Sequence, residues 1–124
     1  MKTIVLIAAT FYGASGIIVG AFGAHALKKI FSDDLQKSFE TGVKYQLYHA
    51  IVLLILGFEL SFVTDVQKSV AWCFIIGTFL FSFSIYGLCI SSVKGKKLRF
   101  LGPITPLGGL LLVVAWILLG ISFS

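Results

Sequence analysis

Four apolar stretches of about twenty residues each dominate this sequence, and they limit its fold more than any other feature. They run from about residue 3 to 24, 45 to 63, 70 to 91 and 104 to 123. A bilayer core about 30 Å thick takes roughly 20 helical residues to cross. Mean hydropathy is +1.03 and only 12% of the residues are charged. The sequence therefore predicts an all-α fold, an integral membrane four-helix bundle formed as a single domain over residues 1–124.

The first apolar stretch also carries a pattern found at signal-peptide cleavage sites. Ala24-His25-Ala26 places small residues on both sides of a larger one. The apolar stretch before it is longer than the roughly 7–15 residues usual in signal peptides. We therefore expect this segment to be retained as the first membrane helix.

Basic residues are concentrated in two of the three connections. Only Lys2 and Lys68 lie on the other side of the predicted bundle. Connections rich in lysine and arginine stay in the cytoplasm, so we predict that both termini lie outside it. This topology explains the net charge of +5 without a nucleic-acid partner. In the last connection, the candidates for contact with lipid headgroups are Lys94, Lys96, Lys97 and Arg99.

Small residues recur every three or four positions along the first predicted helix. They form a ridge of Gly13, Gly16, Gly20 and Ala24. Such a ridge lets a second helix backbone approach closely in lipid. Gly108 and Gly109 offer the fourth helix a similar site. We predict helix packing at these positions, either within the chain or between two copies.

The connection between the first two helices is amphipathic. Its apolar residues recur every four positions from Phe31 to Phe39. Ser32 or Asp33 suits the start of a helix, and Gly42 suits its end or a kink. The sequence predicts a short interfacial helix that lies along the membrane before the second crossing begins.

Polar and aromatic residues gather near one end of the predicted bundle. Helices one and three end at this level and helices two and four begin there. The candidate cluster consists of His25, Tyr45, Gln46, His49, Tyr86, Pro103 and Pro106. We interpret it as a set of hydrogen bonds that fixes how the helices meet, with a site for a lipid headgroup or small molecule as the alternative.

The two histidines raise further alternatives, because facing histidines can hold a haem iron or carry protons near neutral pH. His25 and His49 have no carboxylate nearby, so we expect no cofactor, and haem or quinone is the alternative. Cys73 and Cys89 lie about 24 Å apart along one predicted helix, too far to form a disulfide. No residues have metal-ligand spacing, and we predict no metal site.

Four ordered sequence blocks resemble a known family. They are GAFGAHAL, TGVKYQLYHA, GTFLFSFSIYG and LGPITPLGG, followed by Trp116 and Gly120. These blocks are similar to the signatures of the family called domain of unknown function 423, which includes the transmembrane protein 256-like proteins. The resemblance spans residues 13–120. It implies a four-helix integral protein of the bacterial inner or plasma membrane, and it implies no activity.

The motifs of common enzyme classes are missing from the sequence. It has no phosphate-binding loop, nucleophile elbow, zinc spacing or intramembrane carboxylate pair, so we expect that the protein is not an enzyme. The leading hypothesis is a non-catalytic structural or accessory subunit of a membrane assembly, formed with copies of itself or with another membrane protein. The alternatives are binding of lipid, haem or quinone at the His/Tyr/Gln cluster, and a small oligomeric transporter or channel.

Overall fold

The computed structural model describes all 124 residues and is helical throughout, with no strands. Each of its four helical segments is long and apolar enough to cross a membrane. These segments are α1 (Lys2–Leu27), α2 (Asp33–Glu59), α3 (Asp65–Val93) and α4 (Ile104–Ser122), the last preceded by a 3₁₀ turn at Arg99–Leu101. The predicted all-α membrane bundle is confirmed.

The helices form two antiparallel hairpins, α1 with α2 and α3 with α4. α2 and α3 lie in the centre and pack on each other, while the backbones of α1 and α4 do not approach one another. Accordingly, 39% and 44% of the residues in the apolar 18-residue stretches of α2 and α3 are buried inside the protein, against 22% in each of α1 and α4. The two outer helices therefore face mainly outward.

The prediction of a separate interfacial helix before the second crossing is wrong, because α2 runs without a break from Asp33 to Glu59. Ser32 caps its start by accepting a hydrogen bond from the Leu35 amide at 3.2 Å. Gly42 does not end the helix. It lets α3 pack closely there, because a Cβ atom would lie 2.8 Å from Cε1 of Tyr86. The amphipathic pattern reflects burial within the bundle, where the Phe39 ring packs 5.0 Å from that of Tyr86.

Two short π-helical turns interrupt the regular helices, and no sequence signal predicts them. One ends α1 at Gly23–Leu27, and the other lies inside α3 at Phe79–Phe83. Turns of this kind often occur at functional sites. In α3 the turn contains Ser82, whose hydroxyl donates a 2.7 Å hydrogen bond to the Gly42 carbonyl of α2.

The apolar core is divided into two clusters. The larger has 13 buried residues and lies in the half of the bundle that holds both termini, here called the apolar half; it includes Val5, Leu53, Val70, Phe74 and Ala115. The smaller has six buried residues and lies in the opposite half, here called the basic half; these are Leu27, Phe31, Phe39, Ile85, Tyr86 and Cys89. Polar side chains occupy the layer between the clusters.

The glycine ridge of α1 packs within the chain, against α2. A Cβ atom on Gly16 would lie 2.7 Å from Cδ2 of Leu47, and one on Gly20 would lie 3.0 Å from Cγ1 of Val43. Gly13, predicted to belong to the ridge, has no atom within 4 Å of such a position. Ala24 is exposed beside a shallow hollow. Within the predicted ridge, the close contacts with α2 are therefore at Gly16 and Gly20.

At the crossing of α3 and α4, the two backbones lie in close contact. A Cβ atom on Gly108 would collide with the backbone nitrogen of Phe81 and lie 2.9 Å from the Gly77 carbonyl oxygen. Gly109 lies beside the same contact, where a Cβ atom would be 3.5 Å from the Phe81 ring. The sequence-based reasoning included Gly108 and Gly109 but missed Gly77.

Candidate functional site

Gln46 is the centre of a buried polar layer that connects three helices. Its side chain is completely buried. Its amide nitrogen donates to the Tyr12 carbonyl at 3.0 Å and to the Ser15 hydroxyl at 2.8 Å, both on α1. Its amide oxygen accepts a 2.7 Å hydrogen bond from the Tyr86 hydroxyl on α3. One side chain of α2 thus links both neighbouring helices.

Further hydrogen bonds between helices surround this layer. The Tyr12 hydroxyl donates to the Ile75 carbonyl at 2.6 Å, which joins α1 to α3 directly. The hydroxyls of Ser84 and Thr105 lie 2.5 Å apart and join α3 to the start of α4. In contrast, the Thr78 hydroxyl is buried without a partner. The sequence-based reasoning missed Tyr12 and Thr105, since only their three-dimensional positions bring them to the layer.

His49 lies in the adjacent part of the bundle, between α3 and α4. Its Nδ1 is 2.7 Å from the Tyr45 carbonyl, and its Nε2 accepts a 3.4 Å hydrogen bond from the Trp116 indole. The Phe74 ring packs 5.6 Å away. This pairing requires the neutral tautomer with the proton on Nδ1. Both ring nitrogens are therefore engaged within the protein.

The prediction that both histidines share one level is wrong. Gly23, two residues before His25, packs against the Phe39 ring of α2. His49 lies ten residues further along α2 than Phe39, which is about 15 Å at 1.5 Å per residue. His25 is exposed, so it does not join the polar layer. The two imidazoles are too far apart to ligate one haem iron.

The other predicted members of the cluster lie at its edge or outside it. The Tyr45 side chain is 42% exposed, and its ring packs 5.1 Å from that of Phe81. Pro103 and Pro106 are exposed at the start of α4. Of the seven predicted residues, hydrogen bonds join two pairs: the Gln46 and Tyr86 side chains, and the His49 ring with the Tyr45 carbonyl.

A cavity of about 440 Å³, here called the basal cavity, lies in the basic half beyond the polar layer. The start of α2, the end of α3, the last connection and the start of α4 enclose it. Its lining consists of Leu35, Ser38, Thr41, Ile85, Leu88, Cys89, Ser92, Lys97, Gly102, Thr105 and Pro106. Only Pro106 belonged to the predicted cluster. The sequence feature that could have indicated this cavity is the pair Ser38 and Thr41, which lie three residues apart near the start of α2 and so share one face.

The four basic residues of the last connection occupy different surroundings. Lys97 lines the basal cavity. Lys94 and Lys96 line a separate hollow of about 340 Å³ beside Gly87. Arg99 begins the 3₁₀ turn and is exposed. Only one of the four charges is therefore placed to act inside the basal cavity.

Comparison with known proteins agrees with the fold. The family model described as protein of unknown function (DUF423) matches residues 19–109. A UPF0382 membrane protein of Staphylococcus haemolyticus is 40% identical over 104 residues, which cover 83% of this chain and 80% of that protein. The UPF0382 membrane protein YwdK of Bacillus subtilis is 36% identical over 107 residues, with 84% and 82% covered.

A eukaryotic relative extends the match. A UPF0382 membrane protein of Schizosaccharomyces pombe is 36% identical over 113 residues, which cover 87% of this chain and 91% of that protein. No solved structure matches. The matched region contains the polar residues of α2 and α3 and the start of α4, including all of the basal cavity lining. This chain belongs to the DUF423 family of membrane proteins.

Proposed function

We propose that the protein is a non-catalytic accessory subunit of a membrane assembly and works without a bound cofactor. The observation that carries this proposal is the closed polar layer. Both donors and the acceptor of the Gln46 amide are bonded to the protein's own helices. His49 likewise uses both ring nitrogens internally. The most buried polar groups thus serve packing, and they leave no reactive group directed toward a substrate.

The outer helices supply the surface through which such a subunit would associate. Ile18 on α1 is 69% exposed, and Ile117 on α4 is 57% exposed. Because lipid tails are as apolar as these side chains, helix association in a membrane depends on close packing and hydrogen bonds. Trp116 is half-exposed on α4 and carries the indole bonded to His49. We propose α4 as the side that meets a partner protein.

The proposal includes an orientation in the bacterial inner or plasma membrane. Four crossings place both termini on one side and the basic half on the other. The positive-inside rule then puts the basic half in the cytoplasm and the termini outside. A single cysteine introduced at Ser124 should react with an impermeant maleimide in intact cells after Cys73 and Cys89 are replaced by serine. One introduced at Gly95 should react only after lysis; the reverse pattern contradicts this orientation.

Photocrosslinking in the native membrane tests the accessory role. A photoreactive amino acid at Ile117 should give one adduct of fixed mass, and the same protein should copurify at a constant ratio. The matched control is the same amino acid at Ile18 on the opposite outer helix, which should give lipid adducts. Lipid adducts alone at both positions, with no copurifying protein and no self-adduct, would contradict the proposal.

A further inference from the structure

We propose that the basal cavity binds one anionic phospholipid whose headgroup carries free hydroxyls. This inference goes beyond the accessory role and does not depend on it. A volume of about 440 Å³ falls in the range of small-molecule sites. The cavity also lies between the ends of membrane-crossing helices, where lipid headgroups are found. Its position therefore suits a headgroup and the first part of a chain.

The charge of the lining favours an anion. Lys97 is the only charged residue in the lining, which contains no carboxylate. Gly102, just before α4, and Thr105, in its first turn, also line the cavity. Of residues 103–106 at the start of α4, two are prolines without an amide hydrogen, so Ile104 and Thr105 supply the N–H groups that have no partner within the helix. The N-terminus of the helix also carries a partial positive charge. A lysine and a helix N-terminus at one cavity together favour a phosphate group.

The hydroxyls of the lining favour a ligand that donates hydrogen bonds. The Thr41 hydroxyl donates to the Lys37 carbonyl at 3.0 Å, and the Ser92 hydroxyl donates to the Leu88 carbonyl at 2.7 Å. Since each proton is used within its own helix, the oxygens offer lone pairs to a ligand. A glycerol headgroup has hydroxyls that can donate to these acceptors, whereas a choline headgroup has no hydrogen-bond donor.

The apolar part of the lining accounts for the choice of a lipid over a free phosphate ester. Leu35, Ile85 and Leu88 line the cavity together with the polar groups. An amphiphile can place its phosphate at Lys97 and its chain against these side chains. A free glycerol phosphate would leave the apolar wall uncovered, and so would bind far more weakly.

Native mass spectrometry of the full chain in detergent tests this proposal with four probes. The probes are phosphatidylglycerol, phosphatidylethanol, phosphatidylcholine and free glycerol 3-phosphate. Phosphatidylethanol keeps the negative charge but lacks the free hydroxyls. We expect phosphatidylglycerol to bind most tightly, phosphatidylethanol less tightly, phosphatidylcholine weakly, and free glycerol 3-phosphate not to be retained. Equal binding of phosphatidylglycerol and phosphatidylcholine, or retention of the free ester as tightly as the lipid, would overturn the proposal.

Two variants separate the roles of charge and hydroxyl. Lys97→Gln should weaken phosphatidylglycerol binding about tenfold, as expected for loss of a hydrogen bond to a charged group. Thr41→Val should remove the preference for phosphatidylglycerol over phosphatidylethanol and keep the preference for both over phosphatidylcholine. Lys94→Gln changes the same charge in the same connection outside the cavity, and Lys68→Gln changes it at the opposite end. If these controls weaken binding as much as Lys97→Gln does, the basal cavity is not the site.

Thermal unfolding of each variant in the same detergent keeps the test independent of folding. Lys97 and Thr41 are both exposed, so their substitution should leave the melting temperature unchanged without lipid. Phosphatidylglycerol should then raise the melting temperature of the wild-type protein and of Lys94→Gln, and should raise that of Lys97→Gln less. An equal rise in all three proteins would contradict binding in the cavity.

Discussion

The apolar half and the basic half of this small bundle are built differently. In the apolar half, Val5, Leu53 and Phe74 are completely buried, and no residue of the larger core cluster lines any of the three main hollows. In the basic half the hollows measure about 440, 340 and 170 Å³. Close packing of apolar atoms thus holds one end of the bundle together, whereas the other end leaves space for a ligand.

The polar layer and the glycine crossing lie where the two halves meet. Gln46 joins α1, α2 and α3 through its hydrogen bonds, and Gly108 lets the backbone of α4 reach that of α3. In lipid, close packing and hydrogen bonds between helices take over the role that apolar burial has in water. We therefore expect substitutions at this junction to destabilise the bundle more than substitutions around the basal cavity.

The largest expected loss of stability comes from adding a side chain at Gly108, where α4 crosses α3. Gly108→Ala adds a methyl group against the Phe81 backbone, which cannot move without distortion of α3. We expect a loss of about 3 kcal/mol or more, or a failure to fold. Thermal unfolding in detergent measures it. Gly120→Ala is the matched control, because no atom lies within 4 Å of the new carbon. A loss of equal size in the control would mean that the crossing has no special role.

Removal of the central amide should have the next largest effect. Gln46→Leu leaves the Tyr12 carbonyl and the Tyr86 hydroxyl without their partner in the buried layer. Interhelical hydrogen bonds in membranes contribute about 0.6–2 kcal/mol each, so we expect a loss of about 2 kcal/mol. Chemical unfolding in mixed micelles measures it. Tyr45→Phe, which removes a hydroxyl from a half-exposed ring on the same helix, should cost less than about 0.5 kcal/mol.

Substitutions of the two histidines should lower the stability by different amounts, both smaller than the loss expected for Gln46→Leu. His49→Phe keeps a ring beside Phe74 but removes the bonds to the Tyr45 carbonyl and the Trp116 indole. We expect a loss of about 1 kcal/mol. His25→Ala changes an exposed side chain and should stay within about 0.5 kcal/mol of the wild type. Equal losses of stability for the two variants, measured by thermal unfolding, would contradict this difference and support a hydrogen-bond network that includes both histidines.

The smallest expected change in stability is that of Thr78→Val, and it should be an increase or no change where the other variants show losses. Thr78 is fully buried, and its hydroxyl has no partner. Thr78→Val has nearly the same shape and removes the unpaired polar group, so stability should stay the same or rise by up to about 1 kcal/mol. Calorimetric unfolding would reveal this. A loss above 1 kcal/mol would show that a water or another group satisfies the hydroxyl.

The number and type of the helices could be predicted from the sequence because four long apolar runs leave few alternatives. The boundaries were less predictable. α2 begins at Asp33, twelve residues before the predicted crossing, because Phe39 and Gly42 pack against α3. An amphipathic pattern indicates that one face of a helix is buried, but it does not tell whether that face packs against lipid or against protein.

The candidate site was less predictable for a related reason. Sequence positions at the helix ends correctly placed Gln46 and Tyr86 near one level, but they placed His25 there as well. The offset of about 15 Å between the level of Gly23, two residues before His25, and that of His49 follows from how α1 is aligned along α2, where Gly23 meets Phe39. Such alignment depends on side-chain fit between helices. The basal cavity forms where the start of α2 meets the end of α3, the last connection and the start of α4, which follow much later in the chain, and so no local pattern predicts it.

A double-mutant cycle of Gln46→Leu and Tyr86→Phe tests the central claim, that the polar layer joins the hairpins, most directly. The free energy of unfolding is measured in the same mixed micelles for the wild type, both single variants and the double variant. Because the Tyr86 hydroxyl donates to the Gln46 amide at 2.7 Å, we predict a coupling energy of about 1 kcal/mol. If the two losses add within about 0.3 kcal/mol, these residues act independently, and the claim that the Gln46–Tyr86 bond joins the hairpins is contradicted.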